Sequence, residues 1–303
     1  MKRSNFQARI LLFLLRMAGK LSLPMAQRLG RMLGRLGWWL NTPEKRVTRI
    51  NLDIAYPELD HQARRQLAKQ SLQHTGQTFA EIPLMWEWPV ERCLGLIKAV
   101  DGEHLVQEAL NTGKGLILLA PHLGNWELAG LYFSSRHRMA ALYSPPDMPA
   151  FEDYMIKVRG RLGSELVRGD RRGLARLITL LREGGVVGIL PDQSPRGAGN
   201  AYAPFFGMEV RTMTLVSKLL QKSGAQVLAT YAERLPNAQG FRLVIRPCVA
   251  DLADPDPVKA TTALNATVEA CVRAIPEQYQ WEYKRFRHRP AGQPHPYKPG
   301  RTC

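Results

Sequence analysis

The stretch Gly113-Lys-Gly-Leu-Ile-Leu-Leu-Ala-Pro-His-Leu-Gly-Asn-Trp-Glu127 predicts a buried strand, a short loop and the start of a helix. Turn-forming glycines precede a short apolar run that ends at Pro121. The run Gly185 to Leu190 repeats this pattern and ends at Pro191 and Asp192. Such runs alternating with helical stretches predict an α/β protein with a mostly parallel central sheet flanked by helices.

The remaining elements follow from the spacing of apolar residues on either side of this stretch. We predict helices over residues 62–79, 126–133, 151–162, 173–183, 212–223 and 260–274. We predict further strands over 139–143, 226–233 and 241–248, the last two paired through Asn237–Gly240. Ligands of open α/β sheets lie outside the carboxyl ends of the strands, which is where His122 and Asp192 fall.

Composition and charge narrow the class of protein. The chain has 303 residues, of which 45% are hydrophobic and 22% charged, and this excludes a disordered, collagen-like or polytopic membrane protein. The formal net charge is +16, and residues 1–50 alone hold eleven basic side chains and one acidic one. Residues 281–303 hold six basic side chains and one acidic one, so the body between them is nearly neutral. Cationic ends suit nucleic acid, an anionic membrane or an acidic protein partner.

The N-terminal residues 1–42 form one predicted unit of amphipathic, interfacial helices. The apolar run Ile10 to Leu15 is too short for a signal peptide or a spanning helix. Arg and Lys alternate with apolar residues after it, and the pair Trp38–Trp39 suits a position at the lipid headgroups. An ordinary helical cap with a solvated basic face is the alternative interpretation. Residues 43–290 then form the main domain, and 291–303 a Pro-rich basic tail that includes Pro299.

Four scattered cysteines, Cys93, Cys248, Cys271 and Cys303, do not form a disulfide framework or a metal-binding pair. We therefore expect reduced thiols and a cytosolic environment.

The segment from His122 to Glu127 is the strongest candidate for chemistry. His122 lies in the loop and Glu127 in an early turn of the helix, so we expect the carboxylate to reach the ring. A carboxylate on Nδ1–H would fix the tautomer and leave Nε2 as a base. Gly124 lets the backbone pass close to a substrate. A buried structural histidine, with Glu127 favoured by the helix dipole, is the other interpretation.

The chain resembles the late, or secondary, acyltransferases of lipid A biosynthesis, the lauroyl and myristoyl transferase family. His122 and Glu127 form the H-x-x-x-x-E pattern of the glycerolipid acyltransferase superfamily. Further similar segments run in order along the chain: Asn51–Glu58, Gly113–Glu127, Pro191–Gln193, Phe205–Gly207 and Pro276–Trp281 with the basic run after it.

This resemblance implies an enzyme on the cytosolic face of the inner membrane. It would transfer a fatty acyl chain from acyl carrier protein to a hydroxyl of an anionic lipid A precursor, without a cofactor, a metal or nucleic acid. By location, Arg159 matches the family's functional arginine and Asp192 its functional aspartate. Arg159 lies among further basic residues that suit an anionic acceptor, namely Lys157, Arg161, Arg168, Arg171 and Arg172.

The expected mechanism is a single displacement in which His122 is the general base and Glu127 orients it. Backbone N–H groups near Gly124 and Asn125, or a cationic side chain, would stabilise the oxyanion. Asp192 would orient Arg159 or hold a turn at the strand end, with Gln193 as a polar companion. The alternatives are another lipid acceptor (a lysophospholipid, an ornithine lipid or a glycolipid), acyl-CoA as donor, a nucleic-acid-binding protein and an inert membrane scaffold.

Overall fold

Nine strands and eleven α-helices make up the part of the chain that the structure describes. It is a computed structural model, and it describes residues 2–195, 197 and 199–298. Pro299 and Cys303 lie outside the described residues. The helices are α1 Lys2–Ala18, α2 Leu23–Trp39, α3 Pro43–Ala55, α4 His61–Glu87, α5 Val90–Leu94, α6 Glu103–Asn111, α7 Trp126–Ser134, α8 Pro149–Arg159, α9 Arg171–Arg182, α10 Leu215–Ser223 and α11 Pro257–Ala274. The strands are β1 Ile97–Asp101, β2 Leu116–Leu119, β3 Met139–Tyr143, β4 Glu165–Arg168, β5 Val186–Ile189, β6 Asn200–Phe205, β7 Met208–Met213, β8 Gln226–Arg234 and β9 Phe241–Pro247.

Seven strands form the central sheet, in the order β1-β9-β8-β2-β5-β3-β4. The five from β8 to β4 are parallel to one another, whereas β9 runs antiparallel to β8 and β1 runs parallel to β9. The predicted α/β class with a mostly parallel sheet flanked by helices is confirmed. A separate antiparallel hairpin of β6 and β7, which was not predicted, lies outside this sheet.

Strand β2 is central because its side chains are buried on both faces of the sheet. Ile117 and Leu119 belong to the apolar cluster on one face, and Leu116 and Leu118 to the cluster on the other. A parallel strand covered by helices on both faces must be apolar throughout, since alternate side chains point to opposite sides. This is why the glycine-flanked apolar run predicted the fold.

The N-terminal helices rest on α4. A Cβ added at Gly34 would lie 2.3 Å from the Leu72 carbonyl oxygen, and one at Gly30 would lie 2.5 Å from Gln77 Cα. Glycine at these positions therefore lets the backbones of α2 and α4 approach more closely than any larger residue allows. The crossing fixes α2 against the main domain.

The outer face of α1 and α2 carries large apolar side chains that are exposed. Its members on α2 include Met32, Leu33, Leu36 and Trp39, and Trp39 is 83% exposed. The two tryptophans that were predicted to lie together at the lipid headgroups have different environments. Trp39 is exposed, whereas Trp38 packs against the core, with the Lys45 ammonium over its ring. Among the described residues, no helix has both the length and the apolar character needed to span a bilayer.

Candidate active site

His122 and Asp192 lie beside each other because β2 and β5 are neighbouring parallel strands in register. Leu119 pairs with Ile189 at the carboxyl ends of the two strands. His122 is the third residue after Leu119, and Asp192 is the third residue after Ile189. His122 Nδ1 lies 3.0 Å from Asp192 Oδ1, and the His122 backbone N–H donates to Asp192 Oδ2 at 3.1 Å. One carboxylate therefore holds both the ring and the backbone of His122.

The buried carboxylate of Asp192 stays ionised. Burial alone would raise the pKa of Asp192, but the charge on His122 and the hydrogen bonds from its ring and backbone outweigh burial and lower it. A carboxylate that accepts from Nδ1–H leaves the Nε2 lone pair free. Gln193 Nε2 lies 3.3 Å from this nitrogen, within reach of an amide N–H donor. The edge of the ring also packs against Trp126, with 4.9 Å between centroids.

The expectation that Glu127 reaches the His122 ring is wrong. Glu127 is the second residue of α7, and its carboxylate faces α4 and α8 instead. It accepts hydrogen bonds from Trp86 Nε1 at 2.9 Å and from Arg159 Nε at 3.1 Å, and Arg159 Nη2 forms a second contact. Glu127 is thus the partner of Arg159, and Asp192 is the partner of His122. The expectation that Asp192 orients Arg159 is wrong for the same reason.

The Glu127–Arg159 pair forms part of the wall of the site. Burial would raise the pKa of Glu127, but the Arg159 charge, with hydrogen bonds from Arg159 and Trp86, outweighs it and lowers that pKa. The guanidinium also lies over the Trp86 ring, 5.6 Å from its centroid. Bidentate pairing of this kind fixes the orientation of an arginine more firmly than a single contact does. Arg159 is therefore a fixed cation.

Gly124 and Asn125 position the loop and do not point amides at a ligand. The Gly124 N–H donates to the Gln278 carbonyl at 3.1 Å, and the Asn125 N–H donates to the Ala232 carbonyl at 2.8 Å. The prediction that these amides stabilise an oxyanion is therefore wrong. Gly124 has a φ of +62°, and a Cβ there would lie 2.0 Å from the Ala232 oxygen, so the close approach is to β8.

Asn125 connects the loop to a buried charge network. Its side-chain oxygen accepts from the Leu128 N–H at 3.0 Å and caps α7, while Nδ2 donates to Glu81 Oε2 at 3.0 Å. Glu81 in turn pairs with Arg234, whose Nε lies 2.5 Å away, and accepts from Gln27 of α2 at 2.8 Å. The loop, α2, α4 and β8 are therefore held by one set of hydrogen bonds.

The predicted basic cluster around Arg159 separates into groups with different partners. Arg161 donates to the carbonyls of Met85, Trp86 and Trp88 at the end of α4. Arg168 pairs with Glu152 at 2.7 Å. Arg171 lies on the cavity described next, whereas Lys157 and Arg172 are exposed away from it.

A cavity of about 1270 Å³ lies beside His122. His122, Glu127, Arg159 and Gln193 lie on its wall. Most of the remaining wall is apolar and comes from the sheet, α7 and α8, including Leu118, Phe133, Met139, Leu142, Phe151, Met155 and Leu166. A large apolar cavity with a few polar groups at one place is typical of a site for a ligand with a long hydrocarbon part.

Two further polar residues at the site, Gln280 and Tyr283, were missed. The Gln280 amide oxygen accepts from Gln193 Nε2 at 3.0 Å, and its backbone N–H donates to the His122 carbonyl at 3.1 Å. The Tyr283 hydroxyl accepts from the Ser194 N–H at 3.0 Å. Both residues also line the cavity. Their segment carried a family resemblance, but no spacing in the sequence connects it to His122.

Within residues 2–195, 197 and 199–298, no three His, Cys, Asp or Glu side chains gather as ligands for a metal ion. The expectation that the enzyme uses no metal stays a prediction.

The fold and the site define an α/β protein in which a histidine held by a buried aspartate lies on the wall of a mostly apolar cavity. A sequence model of the bacterial lipid A biosynthesis acyltransferase family matches residues 4–288. The chain therefore belongs to this family, as its motifs predicted. The established activity of the family is acyl transfer in lipid A biosynthesis.

Three relatives from Escherichia coli strain K12 illustrate the similarity. The lipid A biosynthesis lauroyltransferase is 29% identical over 281 residues, which cover 92% of this chain and 90% of the relative. The palmitoleoyltransferase is 27% identical, with 90% and 89% covered, and the myristoyltransferase is 28% identical, with 91% and 84% covered. The similarity extends over nearly the whole length of each protein.

Proposed function

We propose that the protein transfers a fatty acyl chain from acyl carrier protein to a hydroxyl of a lipid A precursor, at the cytoplasmic face of the inner membrane. The observation that carries the proposal is the His122 ring, which Asp192 holds through Nδ1 on the wall of a mostly apolar cavity of about 1270 Å³. Family membership supports the reaction class, and this geometry supports His122 as the residue that activates the acceptor.

His122 acts as the general base. Nε2 takes the proton of the acceptor hydroxyl as the oxygen attacks the thioester carbonyl. Asp192 keeps the proton on Nδ1 and stabilises the imidazolium that forms. When the tetrahedral intermediate collapses, the carbon–sulfur bond breaks and the imidazolium returns its proton to the leaving thiolate. The ester and the free thiol are the products, and no acyl-enzyme is needed.

Gln193 supports the oxyanion. Its amide nitrogen lies 3.3 Å from His122 Nε2, which places a donor next to the reacting carbon. When the acceptor hydroxyl binds at His122 Nε2, it displaces the Gln193 amide from that nitrogen and frees one of the two amide hydrogens for the oxyanion. The other hydrogen remains bonded to Gln280 Oε1, with 3.0 Å between nitrogen and oxygen. A single donor of this type contributes about 10²–10³-fold to the rate.

The apolar part of the cavity holds the acyl chain of the donor, because burial of each methylene contributes about 0.8 kcal/mol. Arg159 remains cationic beside it, since Glu127 holds the guanidinium in place. A fixed cation at the cavity wall suits an anionic acceptor.

The exposed apolar face of α1 and α2 supports binding to the membrane surface. Arg28 and Arg35 are exposed on the same helix as Met32 and Leu36. Apolar side chains flanked by arginines bind anionic bilayers through both burial and charge. Flotation with vesicles tests this: wild type should float with anionic vesicles and less with neutral ones. Met32→Glu with Leu36→Glu should abolish flotation, and unchanged flotation would contradict the assignment.

A transfer assay in detergent tests the reaction itself. The protein is incubated with a radiolabelled lipid A precursor and acyl carrier protein or coenzyme A loaded with ten- to fourteen-carbon chains. We expect a more hydrophobic product from the carrier-protein donors. Lysophospholipid, ornithine lipid and glycolipid acceptors are run in parallel. Acylation of one of those, with none of the lipid A precursor, would overturn the proposed acceptor.

A further inference from the structure

The start of α10 lies beside the cavity, which Thr214 and Leu215 line, and has unused hydrogen-bond donors. Thr214 is the residue before this helix, but its side chain makes no cap hydrogen bond. Among the described residues, none accepts from the backbone N–H groups of Leu215, Val216 or Ser217, the first three of the helix. The N-terminus of a helix carries a partial positive charge, and its free amides bind anions.

The Thr214 hydroxyl is an independent sign of a missing ligand. Thr214 is only 4% exposed, yet its Oγ1 has no hydrogen-bond partner in the described part of the chain. The residue lines the cavity that His122 also lines. A buried hydroxyl without a partner costs free energy, so a polar group supplied by a ligand would explain its presence there.

Lys218 and Gly199 complete a concave site around this hydroxyl. A Cβ built on Gly199 would lie 3.8 Å from Lys218 Nζ and 3.9 Å from Thr214 Oγ1, so both polar groups lie next to the position that a side chain at residue 199 would occupy. The φ of Gly199 is +85°, a conformation that also favours glycine. The Thr214 N–H donates to the Gly199 carbonyl at 3.0 Å, which keeps the two residues together.

The charges around the site favour an anion. No carboxylate among the described residues pairs with Lys218 or with Arg171, and both cations line the same cavity. Asp170 also lies on the cavity, and its Oδ1 accepts from the Gly173 N–H at 2.8 Å as the cap of α9. An ammonium, a hydroxyl and helix amides are the donors that bind phosphate in many proteins.

We propose that Gly199, Thr214, Lys218 and the first turn of α10 form a subsite for a phosphate group of a substrate. The inference rests on the proposed function in that the phosphate belongs either to the acceptor glycolipid or to the phosphopantetheine arm of the donor. Thr214, Lys218 and Gly199 line the same cavity as His122 and Arg159.

Direct binding of phosphate tests the subsite without the reaction. Inorganic phosphate should raise the melting temperature of the wild type more than chloride at equal ionic strength. The increment should disappear in Lys218→Met and in Thr214→Val, whereas Lys222→Met, an exposed lysine one turn further along α10, should keep it. Thr214→Val removes a hydroxyl that has no partner, so the variant should fold as well as the wild type without phosphate. An increment that survives in both site variants would overturn the proposal.

Kinetics then identify the source of the phosphate. Lys218→Met should raise one KM by about tenfold or more, because a hydrogen bond to a charged group is lost, and Lys218→Arg should restore most of it. A higher KM for a phosphorylated acceptor, but not for its dephosphorylated form, assigns the subsite to the acceptor. A higher KM for the acyl carrier protein donor assigns it to phosphopantetheine. Unchanged values for both, in an active enzyme, would overturn the subsite and leave the proposed function standing. A wild type without transfer activity would count against the proposed function alone.

Discussion

Replacement of Asp192 by asparagine should reverse the tautomer of His122. Both carboxylate oxygens accept hydrogen bonds, Oδ1 from the ring at 3.0 Å and Oδ2 from the His122 backbone N–H at 3.1 Å. An asparagine has one oxygen for two donors. The backbone N–H can only donate, so it keeps the oxygen, and the NH₂ group then faces Nδ1. The ring must carry its proton on Nε2, where it can no longer act as a base.

The size of the effect follows from what is lost. Asp192→Asn removes general base catalysis and the negative charge that stabilises the imidazolium, while the cavity and Gln193 stay in place. General acid–base catalysis contributes about 10²–10⁴-fold. At about 1.36 kcal/mol for each tenfold change, the barrier should rise by about 2.7–5.4 kcal/mol. We therefore expect kcat/KM to fall by at least about 10²-fold.

The transfer assay with a matched control checks this expectation. Asp256→Asn is the control, because Asp256 caps α11 far along the chain and asparagine caps helices equally well. Circular dichroism and thermal unfolding establish that both variants are folded. If folded Asp192→Asn keeps a kcat/KM within about threefold of wild type, the tautomer argument from its two hydrogen bonds is refuted.

Three further changes test the cavity, the buried histidine and the charge network. Met139→Ala should shift donor preference toward longer acyl chains, by about fourfold for each additional methylene that the cavity accommodates. Gly188→Val should shift the preference toward shorter acyl chains, since a Cβ at Gly188 would lie 2.5 Å from the Met139 methyl. If the preference among ten- to sixteen-carbon donors is unchanged in both variants, the acyl chain binds elsewhere. Burial, with the charge of Arg234, lowers the pKa of His74 to about 3. In the unfolded chain the His74 ring titrates near 6.5, so between pH 7 and pH 5 the unfolded state takes up a proton that the folded state does not bind. The free energy of unfolding, measured with urea, should therefore fall by about 1–2 kcal/mol from pH 7 to pH 5. An equal fall in His74→Gln would contradict this cause. Arg234→Met leaves the Glu81 carboxylate buried without its cation and should lower the free energy of unfolding by about 3–5 kcal/mol; a loss below about 1 kcal/mol in urea unfolding would show that the pair is not needed.

The elements around the site were predictable because their signals are local. The apolar runs before His122 and Asp192 became β2 and β5, and the strand predicted over 139–143 became β3 with those bounds. The helix predicted over 212–223 begins later, at Leu215, because Thr212 and Met213 extend β7. The hairpin of β6 and β7 was not predicted, since its position depends on contacts with α11 and with the C-terminal segment.

The partners of the charged side chains were not predictable from spacing along the chain. Glu127 is five residues from His122, and this short separation favoured the prediction that the two side chains pair. At the start of α7, however, the Glu127 side chain is directed away from His122. The partner of His122 is 70 residues away and follows from the neighbouring positions of β2 and β5. Both strands end three residues before their polar side chain, so strand order was the one missing fact. Gln280 and Tyr283 were missed because they lie in the C-terminal segment, and no pattern in the sequence shows that this segment packs against His122 and Gln193.

The rate of transfer by His122→Ala tests the central claim most directly. Wild type, His122→Ala and the control His104→Ala, an exposed histidine on α6, are compared with the same carrier-protein donor and lipid A precursor. The claim that His122 is the general base predicts a loss of about 10²-fold or more in kcat for His122→Ala and none for His104→Ala. Turnover near that of the wild type in folded His122→Ala would contradict it.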